Sequence, residues 1–137
     1  MTTNNIKSSK IMVKEARSAI DELTTQQVLE SLSDTSKCII DIRDETELIK
    51  NGVLPNSKHA SRGKIEFFAD PAGEQYKKFF TQEKMLILYC ATGGRSALAV
   101  NTLKMMGYEN VTHMVGGFKR WKKEKKIIDP YIPEEKE

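Results

Sequence analysis

The sequence predicts an α/β fold built on a parallel sheet. Two runs, the mostly apolar Lys37–Ile42 and the unbroken apolar Met85–Tyr89, have the pattern of strands buried on both faces. The second run leads through a glycine pair into a helical pattern, with Ala99, Leu103 and Met106 at i, i+4 and i+7. Strand-like and helix-like stretches alternate along the rest of the chain, which is the order a parallel sheet with helical crossovers requires.

Met1–Lys10 is polar and aperiodic and is expected to be disordered. A short leading helix is expected over Met12–Ile20. Thr24, with Gln27 three residues on, reads as a capping box opening a helix to about Leu32. After the first apolar run, Asp44 and Glu47 repeat that signature, and Asn51-Gly52 stops the helix. Pro55–Ser61 reads as a turn with a short strand. Lys64–Ala69 reads as a helical turn broken by Pro71-Ala72-Gly73, and Gln75–Phe80 as a short amphipathic helix. Gly107 suits the end of the helix after the second run. Val111–Val115 is a last strand, and Gly116-Gly117 turns into a helix carrying Phe118 and Trp121. Asp129–Glu137, with two prolines and mostly acidic ends, is expected to be a flexible tail.

With 137 residues the chain suits one domain. The expected limits are an extension over 1–22, the domain over 23–128 and the tail over 129–137. No apolar stretch suffices to span a bilayer, and the N-terminus lacks the apolar core of a signal peptide. Two cysteines, each on an apparent strand, do not suggest a disulfide framework, so a reducing cytoplasm fits best. The net charge of +3 conceals an asymmetry. Residues 1–81 carry 12 basic and 12 acidic groups, whereas residues 82–126 carry 9 and 3. The positive excess lies with the second apolar run and the segment after it.

Chemistry concentrates where that run ends, in Cys90-Ala91-Thr92-Gly93-Gly94-Arg95-Ser96. Open parallel sheets place ligands at this carboxyl edge. Gly93 and Gly94 permit turns that side chains forbid, so successive amides can form an anion-binding nest. The following helix adds the positive end of its dipole, and Arg95 adds a permanent charge. All three favour thiolate over thiol at Cys90 and make it a candidate nucleophile. Cys38, ahead of two isoleucines, reads instead as a small core residue. His113 alternates with Val111 and Val115 and reads as packed rather than as a base. His59 lies on a loop with no assigned role. Two separate histidines and two separate cysteines offer no metal-ligand spacing. The basic run Lys119–Lys126 reads as a solvated helix face with Trp121 turned inward. It lacks the exposed aromatics of a nucleic-acid site, although it can steer anions.

Three patches in register resemble the single-domain rhodanese-like sulfurtransferases. They are Asp41-Ile42-Arg43 with Glu47, the loop Cys90–Ser96, and Gly107–Val111 running on to Gly116-Gly117-Phe118 and Trp121. The likeness covers about residues 23–126. It implies a five-stranded parallel sheet wrapped by helices and a persulfide carried on Cys90. It implies that Ala91, Thr92, Gly93, Gly94, Arg95 and Ser96 bind the transferred sulfur or its donor. It also implies transfer from thiosulfate or a persulfide to cyanide or a thiol, a protein thiol included, without metal, organic cofactor, nucleic acid or membrane. Arg95 is read as an anion clamp, a tether for the loop, or both. Arg62 can reach the site or remain solvated. Asp41, Arg43 and Glu47 are read as support, with Arg43 and Glu47 paired. Where the family often has Gly-His-Ile-Pro-Gly-Ala, this chain has Gly52-Val53-Leu54-Pro55-Asn56-Ser57, without the histidine.

Two rivals accompany this reading. One is a docking module of the same family, which usually lacks the cysteine. The other is a phosphatase or arsenate reductase on the same fold. The related dual-specificity phosphatase branch has a loop one residue longer, and an added residue supplies up to about 3.5 Å of contour.

Overall fold

The computed structural model describes residues 5–133. Its elements are α1 (Ser9–Ser18), β1 (Glu22–Leu23), α2 (Thr25–Leu29), β2 (Lys37–Asp41), α3 (Glu45–Asn51), β3 (Lys58–His59), α4 (Ile65–Phe68), β4 (Met85–Tyr89), α5 (Gly94–Met106), β5 (Val111–Met114) and α6 (Gly117–Lys123). The five strands form one sheet in the order β1-β5-β4-β2-β3, and every pairing is parallel.

The pleat of the central strands divides the core. Even positions of β2 and β4 (Cys38, Ile40, Leu86, Leu88) pack with Ala99, Val100 and Leu103 of α5 and with Ile65 and Phe80. Odd positions (Ile39, Ile87, Tyr89) pack with Val28 of α2 and with Phe118 and Trp121 of α6. Cys90 continues the even row and so faces α5. Both predicted helix starts are capped: Thr24 and Gln27 bond reciprocally, and the Glu47 carboxylate accepts from the Asp44 amide at 3.1 Å. Each cap satisfies otherwise unpaired amides at its helix start.

Three expectations change. The leading helix begins at Ser9 rather than Met12, because Ser8 caps it by accepting from Ile11 N at 3.1 Å. The expected disorder thus does not extend over residues 8–10, and residues 1–4 lie outside the described residues. Gln75–Phe80 forms turns instead of a helix. Lys77 N donates to Phe68 O at 2.8 Å, and Tyr76 Oη reaches Phe80 O at 2.6 Å, so the aromatic spacing serves core anchoring. The start of the expected tail is held: Asp129 exchanges backbone hydrogen bonds with Val53, and Tyr131 Oη donates to Glu45 at 2.7 Å. Residues 134–137 lie outside the described residues. Among the described residues no helix is long and apolar enough to cross a membrane.

Candidate active site

Cys90 sits one residue past β4, with its thiol 1% exposed beneath the loop. The loop turns at Gly93, whose φ of +105° suits glycine and opens α5. Gly93 N donates to Cys90 Sγ at 3.1 Å and Ser96 N at 3.3 Å. The sulfur thus accepts two backbone hydrogen bonds at the first turn of a 13-residue helix.

The opposite side of the loop is fixed by α6. Phe118 N donates to Cys90 O at 2.8 Å and Lys119 N to Ala91 O at 2.9 Å. Carbonyl and amide point in opposite directions across a trans peptide, so these bonds turn the amides of Ala91 and Thr92 away from α6. The approach requires Gly117: a Cβ there would lie 2.6 Å from Cys90 O, at a φ of +64°. Sequence reasoning saw Gly116-Gly117 only as a turn into a helix and missed that the pair shapes the loop.

Arg95 is a tether. Its two terminal nitrogens meet the two Glu47 oxygens at 2.8 and 2.9 Å. These bonds hold the Glu47 carboxyl down to about 2, against a smaller opposing effect of burial. Arg43 does not pair with Glu47. It precedes the helix cap, and its side chain turns back to Asp41, with Nε–Oδ1 at 3.0 Å and Nη2–Oδ2 at 2.7 Å. Its Nη2 also donates to Gly52 O at 2.7 Å, and the guanidinium lies 4.2 Å from the centroid of Phe118. Asp41 and Arg43 thus form a buried ion pair beneath the site, tied to the root of α6.

Arg62 is directed elsewhere, to Thr102 Oγ1 at 3.3 Å and Glu66 at 3.6 Å. At about 1.5 Å per residue, Thr102 stands about 12 Å along α5 from its start, so this contact leads away from the thiol. Cys38 is buried in the core, and burial pushes its thiol up. His59 holds Arg43 O at 2.7 Å. His113 is packed, as its strand position predicts, but it also meets Ser96 Oγ at 2.7 Å and Glu22 Oε2 at 2.8 Å. Glu22 escaped sequence reasoning because 91 residues separate it from His113; only the β1–β5 pairing joins them. Asn56 adopts the left-handed conformation, with φ +63°, where the family pattern has glycine. Among the described residues no three His, Cys, Asp or Glu side chains cluster as a metal site would need.

The chain is similar to known proteins in sequence and in fold. The rhodanese-like domain family matches residues 24–124. A thiosulfate sulfurtransferase GlpE of Tolumonas auensis is 29% identical, over 77% of this chain and 91% of its own. A mouse protein named thiosulfate sulfurtransferase/rhodanese-like domain-containing protein 3 is 26% identical, over 72% of this chain. The match spans 66% of that relative, just under two thirds of its length.

Among solved structures, the polysulfide-sulfur transferase of Wolinella succinogenes superposes with a TM-score of 0.69 at 30% identity, covering 87% of this chain and 85% of its own. A Rhodopseudomonas palustris protein, described as of unknown function and a possible tyrosine phosphatase, reaches 0.87 at 36% identity, covering 94% and 99%. The family match begins at the cap of α2 and closes at the end of α6. It takes in the thiol, the loop around it and the helix that fixes that loop, and on this basis the chain belongs to the rhodanese-like domain family.

Proposed function

We infer that the protein is a sulfurtransferase that carries sulfane sulfur on Cys90. The observation that carries this reading is the seating of Cys90 Sγ as acceptor of the Gly93 and Ser96 amides at the carboxyl end of a central strand. The Cys90 thiolate attacks the outer sulfur of thiosulfate. The S–S bond of the donor breaks, sulfite leaves with the bonding pair, and Cys90 holds a persulfide anion. In the second half-reaction the outer persulfide sulfur first takes a proton from water. An acceptor thiolate attacks that sulfur, the Cys90 S–S bond breaks, and Cys90 departs as thiolate while the acceptor becomes the persulfide. Cyanide serves as acceptor in an assay, and a persulfide can replace thiosulfate as donor.

Arg95 acts first as a tether in this scheme, and its charge still acts electrostatically on Cys90. Both cysteines are free thiols, consistent with a reducing, cytoplasmic setting. We take residues 23–128 as the domain that carries the sulfur chemistry, with α1 and the first residue of β1 supplied by the chain before it.

Intact mass after incubation with thiosulfate tests the reading. The protein should gain one sulfur atom and lose it on adding cyanide. A Cys90→Ser variant should gain none. No gain in the unsubstituted protein would leave a docking module as the better account.

The name of the Rhodopseudomonas palustris structure keeps a phosphatase in view as a second reading. The loop from Cys90 to Arg95 holds six residues, and its ring fits one sulfur atom more readily than a tetrahedral group with three outer oxygens. It also contains no acid to protonate a leaving oxygen.

A further inference from the structure

A continuous line of hydrogen bonds runs from the Cys90 thiol to the outside of the sheet. Cys90 Sγ lies 3.5 Å from Ser96 Oγ. Ser96 Oγ lies 2.7 Å from His113 Nδ1, and His113 Nε2 lies 2.8 Å from Glu22 Oε2. Arg17 Nε closes the line by donating to Glu22 Oε2 at 2.8 Å. Ser96 and His113 are buried, while Glu22 is a quarter exposed.

The chemistry of the groups orients the protons. The Glu22 carboxyl is held below its ordinary range, chiefly by Arg17, so it accepts only. His113 Nε2 must then carry the hydrogen, which leaves Nδ1 as the acceptor for the Ser96 hydroxyl at 2.7 Å, in preference to the more distant Gly93 O at 3.2 Å. Ser96 Oγ keeps lone pairs free for the Cys90 S–H. Burial lowers His113 toward its neutral form, and Glu22 works in the opposite direction. The imidazole is thereby a base with a free lone pair and an anion behind it. The charged groups acting on it are Glu22 of β1 and Arg17 of α1; Cys90 reaches it through Ser96 of α5.

We propose that Ser96 and His113, backed by Glu22, form a buried proton relay that takes the Cys90 proton before sulfur transfer. The thiol proton passes to Ser96 Oγ as the Ser96 proton passes to His113 Nδ1. The products are a Cys90 thiolate and a His113 imidazolium, with no net gain or loss of protons. When Cys90 later leaves its persulfide as thiolate, the same route returns a proton. His113 and Glu22 are positioning residues acting through Ser96. Arg17 and Glu22 precede residue 24, so the outer half of the relay is contributed by the chain ahead of the family match.

The relay rests on the reading of Cys90 as nucleophile, and the test separates the two. The measurement is the rate of Cys90 alkylation by iodoacetamide between pH 5.5 and 10, followed by peptide mass. It is made on the unsubstituted protein, His113→Gln and Glu22→Gln. At pH 7, His113→Gln should react about tenfold more slowly and Glu22→Gln about threefold more slowly, on the scale of one charge-assisted hydrogen bond. Both profiles should move to higher pH and converge within about twofold at pH 10, where the thiol ionises unaided. A purely structural defect would lower that plateau instead. Superimposable profiles, or a lowered plateau without displacement, would overturn the relay. Should His113→Gln fail to fold, the partly exposed Glu22→Gln decides alone. Failure of the unsubstituted protein to take sulfur from thiosulfate would count against the function, while the alkylation profiles would still judge the relay.

Discussion

Glu47→Gln isolates the charge that tethers the loop. Glutamine keeps the size of the side chain and can still close the capping box with Asp44, so the helix start survives. What is lost is the carboxylate facing Arg95. Lowering that carboxyl from an ordinary 4.5 to about 2 corresponds to about 3 kcal/mol at neutral pH as an upper bound. The Arg95 and Glu47 side chains are 37% and 29% exposed, so solvent screening reduces the figure to about 1–1.5 kcal/mol. For a chain of this size that is about 4 °C in Tm.

The sign with pH is fixed by the direction of the shift. A carboxyl lowered in the folded state contributes stability above its ordinary value and loses it as pH falls toward the folded one. The difference between the two proteins should be flat above about pH 5.5 and reduced by roughly two fifths at pH 3.5. Urea titrations at pH 7, 5.5 and 3.5 measure it. Equal stability at pH 7, or a difference that does not shrink in acid, would refute the tether as an electrostatic device.

Other consequences are open to direct measurement. Cys90→Ser should abolish thiosulfate-to-cyanide transfer, whereas Cys38→Ser should keep turnover and lose stability only; the assay and a thermal melt separate them. Arg43→Met strands the buried Asp41 carboxylate and should cost about 3–5 kcal/mol in denaturant unfolding. Gly117→Ala forces a Cβ onto the backbone of Cys90 and Ala91 and should reduce transfer more than ten-fold, while Gly116→Ala, strained at a φ of +83° and crowded by Arg120 but clear of the loop backbone, should lose stability more than transfer. One glycine inserted between Gly93 and Gly94 should impair sulfur transfer by about 100-fold and strengthen phosphate or arsenate protection of Cys90 against alkylation.

Features set by local spacing were legible in the sequence. Both capping boxes, both apolar central strands and the glycine hinge at the loop depend on residues within a few positions of one another. Misreadings arose where tertiary partners override spacing. Arg43 and Glu47 stand four apart, but Arg43 lies ahead of the Asp44 cap and is not on the helix, so the i,i+4 rule does not apply to it. Gln75–Phe80 shows aromatic periodicity because Tyr76 and Phe80 anchor a loop, with Tyr76 donating to Phe80 O. His113 was legible as a packed residue. Its link to Glu22 depends on the register Glu22↔His113 across β1 and β5, which no local pattern encodes.

The same long-range construction bears on why the loop suits sulfur. Its amides do not turn inward because of the glycines alone, since glycine only permits the turn. The direction comes from α6, whose first amides hold Cys90 O and Ala91 O on the far side. The position of α6 depends in turn on Phe118, packed against the Arg43 guanidinium, and on Gly117, which allows contact with the loop backbone. Arg43 is fixed by Asp41, at the end of β2, and Arg95 by Glu47, on α3. The cradle is thus braced from β2, α3 and α6 before any donor arrives. A six-residue ring braced in this way has little freedom to widen around a larger anion. This bracing, together with the number of residues in the loop, supports the proposal that Cys90 carries a single sulfur atom.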